Sequence, residues 1–373
     1  MNKILYICTE SSPGMIHFAT SIINTMSKSN YKIYVLYLCD KNDEYKYYLS
    51  SNITIYKINI PQRKLKRIIF KIIPIDLLNI IELICKKNSI KNIHLLTIDY
   101  ILTWQLPKLV KSYKLIYTVH DLFPHECYTH NLKNKLFDIY MNFATKRNIK
   151  KSHILVTSST FQFKILNQNF ANRKKVLFHN FPTLINTHIK EGNKVCPELL
   201  GIKNYILFFG NIDLYKGIES LYNAFINTDL YKNQTLVIAG KGNIYFKRDK
   251  CKEQNLIFIN RYILDDELKS LYKNAKCVIY PYISATQSGV LSLAYYFQTC
   301  LIASDVSFFK ENIINMKTGV LYKKNNVEEL YKAISIIFNG IIDIDKMKEE
   351  QLKLYKLYFD EEQLKKELVN IYS

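Results

Sequence analysis

"KCVIYPYISATQSGVLSLAYYFQTCLIASD", residues 276–305, holds the pattern that decides the fold. An unbroken apolar run leads into a turn of small and polar residues. An apolar stretch at helical spacing follows, and then a second apolar run. Strands that are apolar throughout, rather than at every second residue, are buried on both faces. The stretch therefore reads as a strand–turn–helix–strand unit of a parallel sheet covered by helices. In such sheets ligands sit beyond the carboxyl ends of the strands, where loops enter helix N-termini. The turn itself, Thr286, Gln287, Ser288, Gly289 and Val290, offers hydroxyls, a glycine that lets a ligand approach the backbone, and the unpaired N–H groups of a helix start. A phosphate can bind there without a local cation. The plainer reading is a capped helix start with a glycine behind it.

Other turns follow the same plan. "FFGNIDLYKGIESL", residues 208–221, runs from a strand through Gly210 and Asn211 to Lys216 and Gly217 at the start of a helix. Lys216 stands at the same sheet edge and can supply the cation missing from the 286–290 turn; the alternative is a solvated lysine. "YTVHDLFPHE", residues 117–126, puts His120 and Asp121 at a strand end, where such folds place reacting groups, although a hydrogen-bonded structural histidine fits as well. His125 and Glu126 follow, without the H-E-x-x-H spacing of a metal site. His17 and His179 are weaker candidates. "TESSPGMIHFA", residues 9–19, opens the first helix at Gly14 without a G-x-G-x-x-G fingerprint. "DID" at Asp343–Asp345 reads as a helix cap.

Outward from these turns the alternation continues along the chain. "KILYIC", "KIYVLYL", "ITIYKINI", "IHLLTI", "KLIYTVHD", "HILVTSS" and "KVLFHN" are strands of a first half; "YILFFGN", "TLVIAGKG", "NLIFINRYI", "KCVIYPY" and "CLIASD" are strands of a second. Residues 183–203 lose the periodicity and read as a linker. The expected architecture is α/β: a Rossmann-like domain over 1–185, a second over 204–345, and helices over 346–373 packing back toward the first.

Composition narrows the class. With 48% hydrophobic residues in 373 the chain is globular. Its formal charge of +20 admits nucleic acid, an anionic membrane surface or a polyanionic substrate as partner, or only a lysine-rich composition. No nucleic-acid-binding motif is present, so nucleic acid is not an expected partner. The eight cysteines include no C-x-x-C pair and mostly lie in apolar runs, as reduced thiols of a cytoplasmic protein do. The oiliest stretch, "IIFKIIPIDLLNIIELIC", is broken by Lys71, Pro74, Asp76 and Glu82 and will not span a bilayer. Just before and within it, Arg63, Lys64, Lys66, Arg67 and Lys71 alternate with Leu65, Ile68, Ile69, Phe70 and Ile72, a partly segregated amphipathic pattern suited to peripheral contact with anionic lipid.

The motifs "ILFFGNIDLYKGIESLYNAF", "LVIAGKGN", "IYPYISATQSGVLSLAYYF" and "VSFFKENIINMKTGVLYKKNNVEELYKAI" resemble the carboxyl half of family 4 glycosyltransferases, and "VHDLFPHE" resembles the acceptor-domain loop of a bacterial surface-polysaccharide branch. The resemblance implies a GT-B fold, two Rossmann-like domains facing each other across a cleft. It also implies retaining, metal-independent transfer of a sugar, hexosyltransferase-type, from a nucleotide-sugar donor to a saccharide acceptor, lipid-linked at the inner face of the cytoplasmic membrane, with no cofactor. Position by position it implies that Lys216 neutralises the donor diphosphate and that Gly210, Asn211 and the backbone from Thr286 to Val290 line the donor site. His120 would face the reacting centre, Gly14 would lie near the diphosphate, and Glu311 would contact donor or cap a helix. Two departures stand out. Asn211 replaces an arginine, and the family's paired glutamates fall on Ala285 and Leu293. An epimerase or phosphorylase on the same architecture, or an inactive paralogue, are the other readings.

Overall fold

A computed structural model describes residues 2–10, 12–40, 48–122 and 132–373, with Pro13 and 132–134 described in the backbone alone. It divides into two compact units, the first running to Pro182 and including Asp360–Ser373, the second covering Thr183–Phe359.

The first unit holds the strands β1 (Asn2–Cys8), β2 (Tyr31–Cys39), β3 (Thr54–Asn59), β4 (Asn92–Leu95), β5 (Lys114–Thr118), β6 (Ile154–Thr157) and β7 (Lys175–Phe178). They form one parallel sheet in the order β3-β2-β1-β4-β5-β6-β7. Strand periodicity explains how it is covered on both faces. β1 sends Leu5 and Ile7 into one apolar cluster and Ile4, Tyr6 and Cys8 into the other. The β3 strand, at the edge, alternates between exposed and half-buried residues.

The second unit holds β8 (Tyr205–Phe209), β9 (Leu236–Ala239), β10 (Leu256–Ile259), β11 (Ala275–Tyr280), β12 (Cys300–Ser304) and β13 (Val320–Tyr322), parallel and ordered β10-β9-β8-β11-β12-β13. Its inner strands are buried almost throughout, as their unbroken apolar sequences require. Both sheets reverse direction of growth once, between β1 and β4 and between β8 and β11. Ligands bind at such switch points.

Three details differ from the expectation. Residues 183–203 do not link freely: Ile185, Ile189, Cys196 and Leu199 are buried in the second unit's core, Asn186 caps a short helix, and a side chain at Gly192 would meet the Asp266 backbone at 2.5 Å. The final helical stretch is two helices, Ile344–Tyr358 and Glu361–Tyr372, separated where Asp360 caps the second by accepting from the Gln363 N–H (2.6 Å). The first of them belongs to the second unit, and only the last helix packs in the first unit, burying Leu364, Leu368, Ile371 and Tyr372. The three-residue strand β13 was not anticipated, being too short to show a pattern. Asp343 caps its helix as read, accepting from the Lys346 N–H at 3.0 Å.

Candidate active site

The two turns singled out in the second unit follow β8 and β11, the strands on either side of its switch point. They are stitched together by the backbone: the N–H groups of Ile283 and Ser284 both donate to the Tyr215 carbonyl, at 2.8 and 3.5 Å. Gly217 is fixed by two independent demands. Its φ of 65° is left-handed, and a Cβ there would lie 1.9 Å from the Pro281 carbonyl oxygen. The Lys216 backbone N–H donates to Asp213, and Asp213 in turn caps the single turn of 3-10 helix before it.

This scaffold places the Lys216 ammonium over two aromatic faces, 3.9 Å from the Tyr282 ring centroid and 4.7 Å from that of Tyr215. Both are distances at which a cation is attracted by the ring quadrupole. Burial works against the charge, but electrostatic interaction with Tyr282 and Tyr215 and side-chain hydrogen bonds to them outweigh it and hold the Lys216 pKa up to about 12. No described carboxylate forms an ion pair with it. A charged lysine held by tyrosines keeps its full charge for an anion.

Tyr282 joins the pieces. It is fully buried, and its hydroxyl lies 3.5 Å from Ser288 Oγ and faces the position a Cβ on Gly210 would take, 3.9 Å away. Its backbone carbonyl accepts from Ser304 Oγ (2.6 Å), and its ring tilts against Phe309. The structure therefore brings Lys216, Gly210 and Ser288 together around one ring. Asn211 is exposed beside Gly210. Thr286 and Gln287 complete the turn, and Val290 begins the helix Val290–Phe297, its carbonyl accepting from the Tyr280 hydroxyl at 3.0 Å.

Gly289 has a different basis from the one its sequence suggests. Its φ is −68°, and a Cβ would meet Leu184 Cγ at 2.7 Å. Packing against residue 184 demands the glycine, whether or not a ligand approaches. Ser292 ties the same corner, donating to the Gly289 carbonyl (2.7 Å) and accepting from the Leu184 N–H (3.1 Å). The positions corresponding to the family's glutamates, Ala285 and Leu293, are both buried, Leu293 in the core. Glu311 is exposed on the short helix Ser307–Asn312.

In the first unit His120 is buried just past β5. Its Nε2 lies 2.8 Å from the Leu96 carbonyl, its own carbonyl accepts from Gln162 (2.6 Å), and its ring stands edge-on to Phe18 at 4.8 Å. Burial holds its pKa below the ordinary histidine value, although the Leu96 hydrogen bond and the Asp121 charge pull the other way. His179 is pushed down to about 4, also by burial, and its Nδ1 is 2.7 Å from the Asn180 carbonyl. Gly14, second in the helix Pro13–Ser27, is exposed, and a Cβ there would meet nothing within 4 Å. His17 sits on the same helix; His125 and Glu126 lie outside the described residues.

Sequence reasoning missed three residues. Tyr282 and Tyr215 sit in the quoted turns, but ring–cation contact between separate turns leaves no periodic trace. Asp99, beyond β4, is buried and accepts from Thr9 Oγ1 (2.9 Å) and the Leu102 N–H (3.3 Å), while its Oδ2 has no partner among the described residues. Burial pushes its carboxyl up to about 6 against those hydrogen bonds.

Comparison with known proteins fits this arrangement. As a whole chain the fold is α/β of the GT-B type. A sucrose-phosphate synthase from Thermosynechococcus elongatus superposes with a TM-score of 0.75 at 16% identity, covering 100% of this chain and 98% of that one. Anabaena HepE, solved with UDP and glucose, superposes with a TM-score of 0.66 at 14% identity, covering 100% and 99%. Residues 197–353, which include both turns, match the family model described as glycosyl transferases group 1, so the second unit carries a glycosyltransferase group 1 domain. An uncharacterized glycosyltransferase of Methanocaldococcus jannaschii, MJ1607, is 32% identical over 126 residues; the match spans 32% of either chain.

Proposed function

We propose that this chain is a retaining, metal-independent glycosyltransferase. In this reading it moves a sugar from a nucleotide-sugar donor to a saccharide acceptor, lipid-linked at the inner face of the cytoplasmic membrane, in the assembly of a bacterial surface polysaccharide. The observation that carries the reading is Lys216: a charged ammonium with no described carboxylate partner, held on Tyr282 at the switch point of a glycosyltransferase group 1 domain. The donor diphosphate takes that charge and the N-terminal end of the helix Val290–Phe297, which has no side-chain cap. As the glycosidic bond breaks, negative charge grows on the leaving diphosphate. A preorganised cation lowers the barrier at that moment, by roughly 2–4 kcal/mol for donors of this kind. The acceptor hydroxyl gives up its proton late, to a leaving phosphate oxygen, so no carboxylate base is required. His120 is assigned to the reacting centre by the family resemblance, and its neutral imidazole suits hydrogen bonding to sugar rather than ion pairing.

A second reading has its own observation. Ala285 and Leu293 are buried and apolar where the family places glutamates, as in a paralogue that binds a nucleotide sugar without transferring it. One experiment separates the two. UDP-, GDP- and dTDP-sugars are screened by thermal shift, and the stabilising donor is then incubated with lipid-linked saccharides and the products identified. A new glycoside supports transfer. Stabilisation without any glycoside or hydrolysis supports the inactive paralogue. A free epimer overturns both.

A further inference from the structure

The helix Lys64–Ile72 inverts the usual arrangement of an amphipathic helix. Leu65, Ile68, Ile69 and Ile72 recur at i, i+3, i+4 and i+7, the spacing that faces a core. Here they face outward: they are 71%, 45%, 52% and 54% exposed, and no side chain of this helix is buried. Phe70, on the opposite side of the turn, is the residue that packs against the first unit's core. At 100° per residue, Lys64 and Lys71 border one flank of the apolar stripe and Lys66 the other. Ile73 and Ile75, also half exposed, carry the oily surface past the helix end.

A second exposed patch adjoins the first. Lys71 Nζ is 3.0 Å from the Tyr100 hydroxyl, and the Tyr100 ring stands edge-on to Phe137 at 5.5 Å. Phe137 lies on the helix Leu132–Lys151, whose Phe143 meets Trp104 at 5.3 Å, with the Arg147 guanidinium 4.8 Å over the indole. Phe137, Phe143 and Trp104 are each nearly half exposed. Exposed aliphatic side chains, aromatic rings and flanking basic groups thus form one continuous surface of a single unit.

We infer that this surface docks the protein on an anionic lipid bilayer. Its chemistry selects that occupant. Protein interfaces are depleted in lysine, whereas lysines flanking an apolar stripe suit a bilayer: their stems lie along the acyl boundary and their ammonium groups reach the phosphates. Trp and Tyr rings with one polar edge sit at the same depth. No described helix is long and apolar enough to cross a membrane, so the contact is peripheral. The inference deepens the proposed function, because a lipid-linked acceptor is presented at such a surface, but binding is read without turnover, so either can fail alone.

Trp104 is the single tryptophan of the chain, so its emission reports this face directly. The full-length protein is titrated with phosphatidylcholine vesicles containing 30% phosphatidylglycerol, and with phosphatidylcholine alone. The anionic vesicles are expected to shift Trp104 emission to the blue, to carry the protein down in sedimentation at least tenfold better than neutral vesicles, and to lose it in high salt. Ile68→Ser with Ile69→Ser is expected to cut partitioning at least tenfold, and Lys64→Ser with Lys66→Ser about fivefold; these positions are exposed, and an unchanged melting temperature confirms the fold. Equal binding to neutral vesicles, no binding, or binding that leaves Trp104 emission unmoved overturns the inference. A solution dimer dissolved by the Ile68 and Ile69 substitutions also overturns it, by giving the face to a second copy of the chain.

Discussion

The carboxyl edges of the two sheets handle buried charge in opposite ways. In the first unit burial pushes the ionisable groups toward their neutral forms. His94, held between the Tyr372 hydroxyl (2.6 Å) and Thr118 (2.7 Å), joins His120 and His179 as a buried imidazole with its pKa lowered, and Asp99 has its pKa raised. In the second unit Lys216 stays charged because Tyr282 and Tyr215, not a carboxylate, compensate its burial through electrostatic interaction and hydrogen bonds. Burial alone neutralises; burial among partners that favour the cation stores a charge. The proposed function rests on this difference, taking the anionic part of a substrate to the second unit's lysine.

Removing the stored charge is the largest expected effect. Lys216→Ala should lower the rate of sugar transfer at least tenfold, and by up to about a thousandfold if its full contribution of roughly 2–4 kcal/mol is lost. Its melting temperature in the absence of donor should fall only slightly, since the ammonium makes no ion pair within the described residues and loses ring contacts worth about 0.5–2 kcal/mol. An unaltered rate in a folded variant would remove Lys216 from the mechanism and, with it, the contrast between the units.

The first unit's edge is tested by acid. His179 titrates near 4 in the folded protein and near 6.5 when unfolded. As pH falls below about 6.5 the unfolded chain takes up the proton and the folded one does not, so stability present at neutral pH is lost on the way down to 4. Between pH 7 and pH 5 this amounts to about 2 kcal/mol. Asp99 acts in the opposite sense: with its folded pKa raised to about 6, it gains a proton in the folded state first and returns about 1 kcal/mol over the same interval. Urea unfolding at the two pH values should show a net loss, steeper in Asp99→Asn and shallower in His179→Gln. The reverse order of the two variants would mean that these groups are not held in the protonation states described.

A smaller effect isolates packing from ligand binding at the 286–290 turn. Gly289→Ala puts a methyl against Leu184 and should cost about 1 kcal/mol of stability, as overpacking does. Leu184→Ala added to it should recover part of that loss, and nucleotide affinity should follow stability rather than fall independently. Affinity lost in the double variant with stability restored would show that the turn tolerates no Cβ for the ligand's sake.

What could be read beforehand follows from the range of each signal. Strands such as "CLIAS" and "YILFF" announce themselves because burial on both faces makes every residue apolar. The strand ends were legible from the general geometry of parallel sheets, and Lys216, Ser288 and His120 stand in the turns that follow them. Reasons that lie in a distant segment were not legible: Leu184 behind Gly289, Tyr282 beneath Lys216, and the orphaned oxygen of Asp99. The basic helix Lys64–Ile72 failed differently. Its spacing was visible, but a periodic stripe does not say whether it faces a core or solvent, and the segregation proved sharper than the sequence suggested.

The smallest expected effect asks which part of Tyr282 matters. If the ring face supplies most of the hold on Lys216, Tyr282→Phe keeps that contact and should change the transfer rate less than about twofold, although the hydroxyl's own hydrogen bond to the lysine is lost. The hydroxyl's other contact, 3.5 Å from Ser288, is long and contributes little at that distance. Tyr282→Leu removes the ring and should lower the rate by roughly 3- to 30-fold, the equivalent of about 0.5–2 kcal/mol of cation–π attraction. Its stability must be measured alongside, since the side chain is fully buried against Phe309 and a cavity would result. A pH-rate profile separates position from packing. With the ring gone, burial is less opposed, the Lys216 pKa falls, and the alkaline limb of the profile moves to lower pH; a merely structural loss lowers the rate at every pH alike. Equal damage from Phe and Leu would shift the role from the ring to the hydroxyl, which would then hold Lys216 by its hydrogen bond rather than by the ring face.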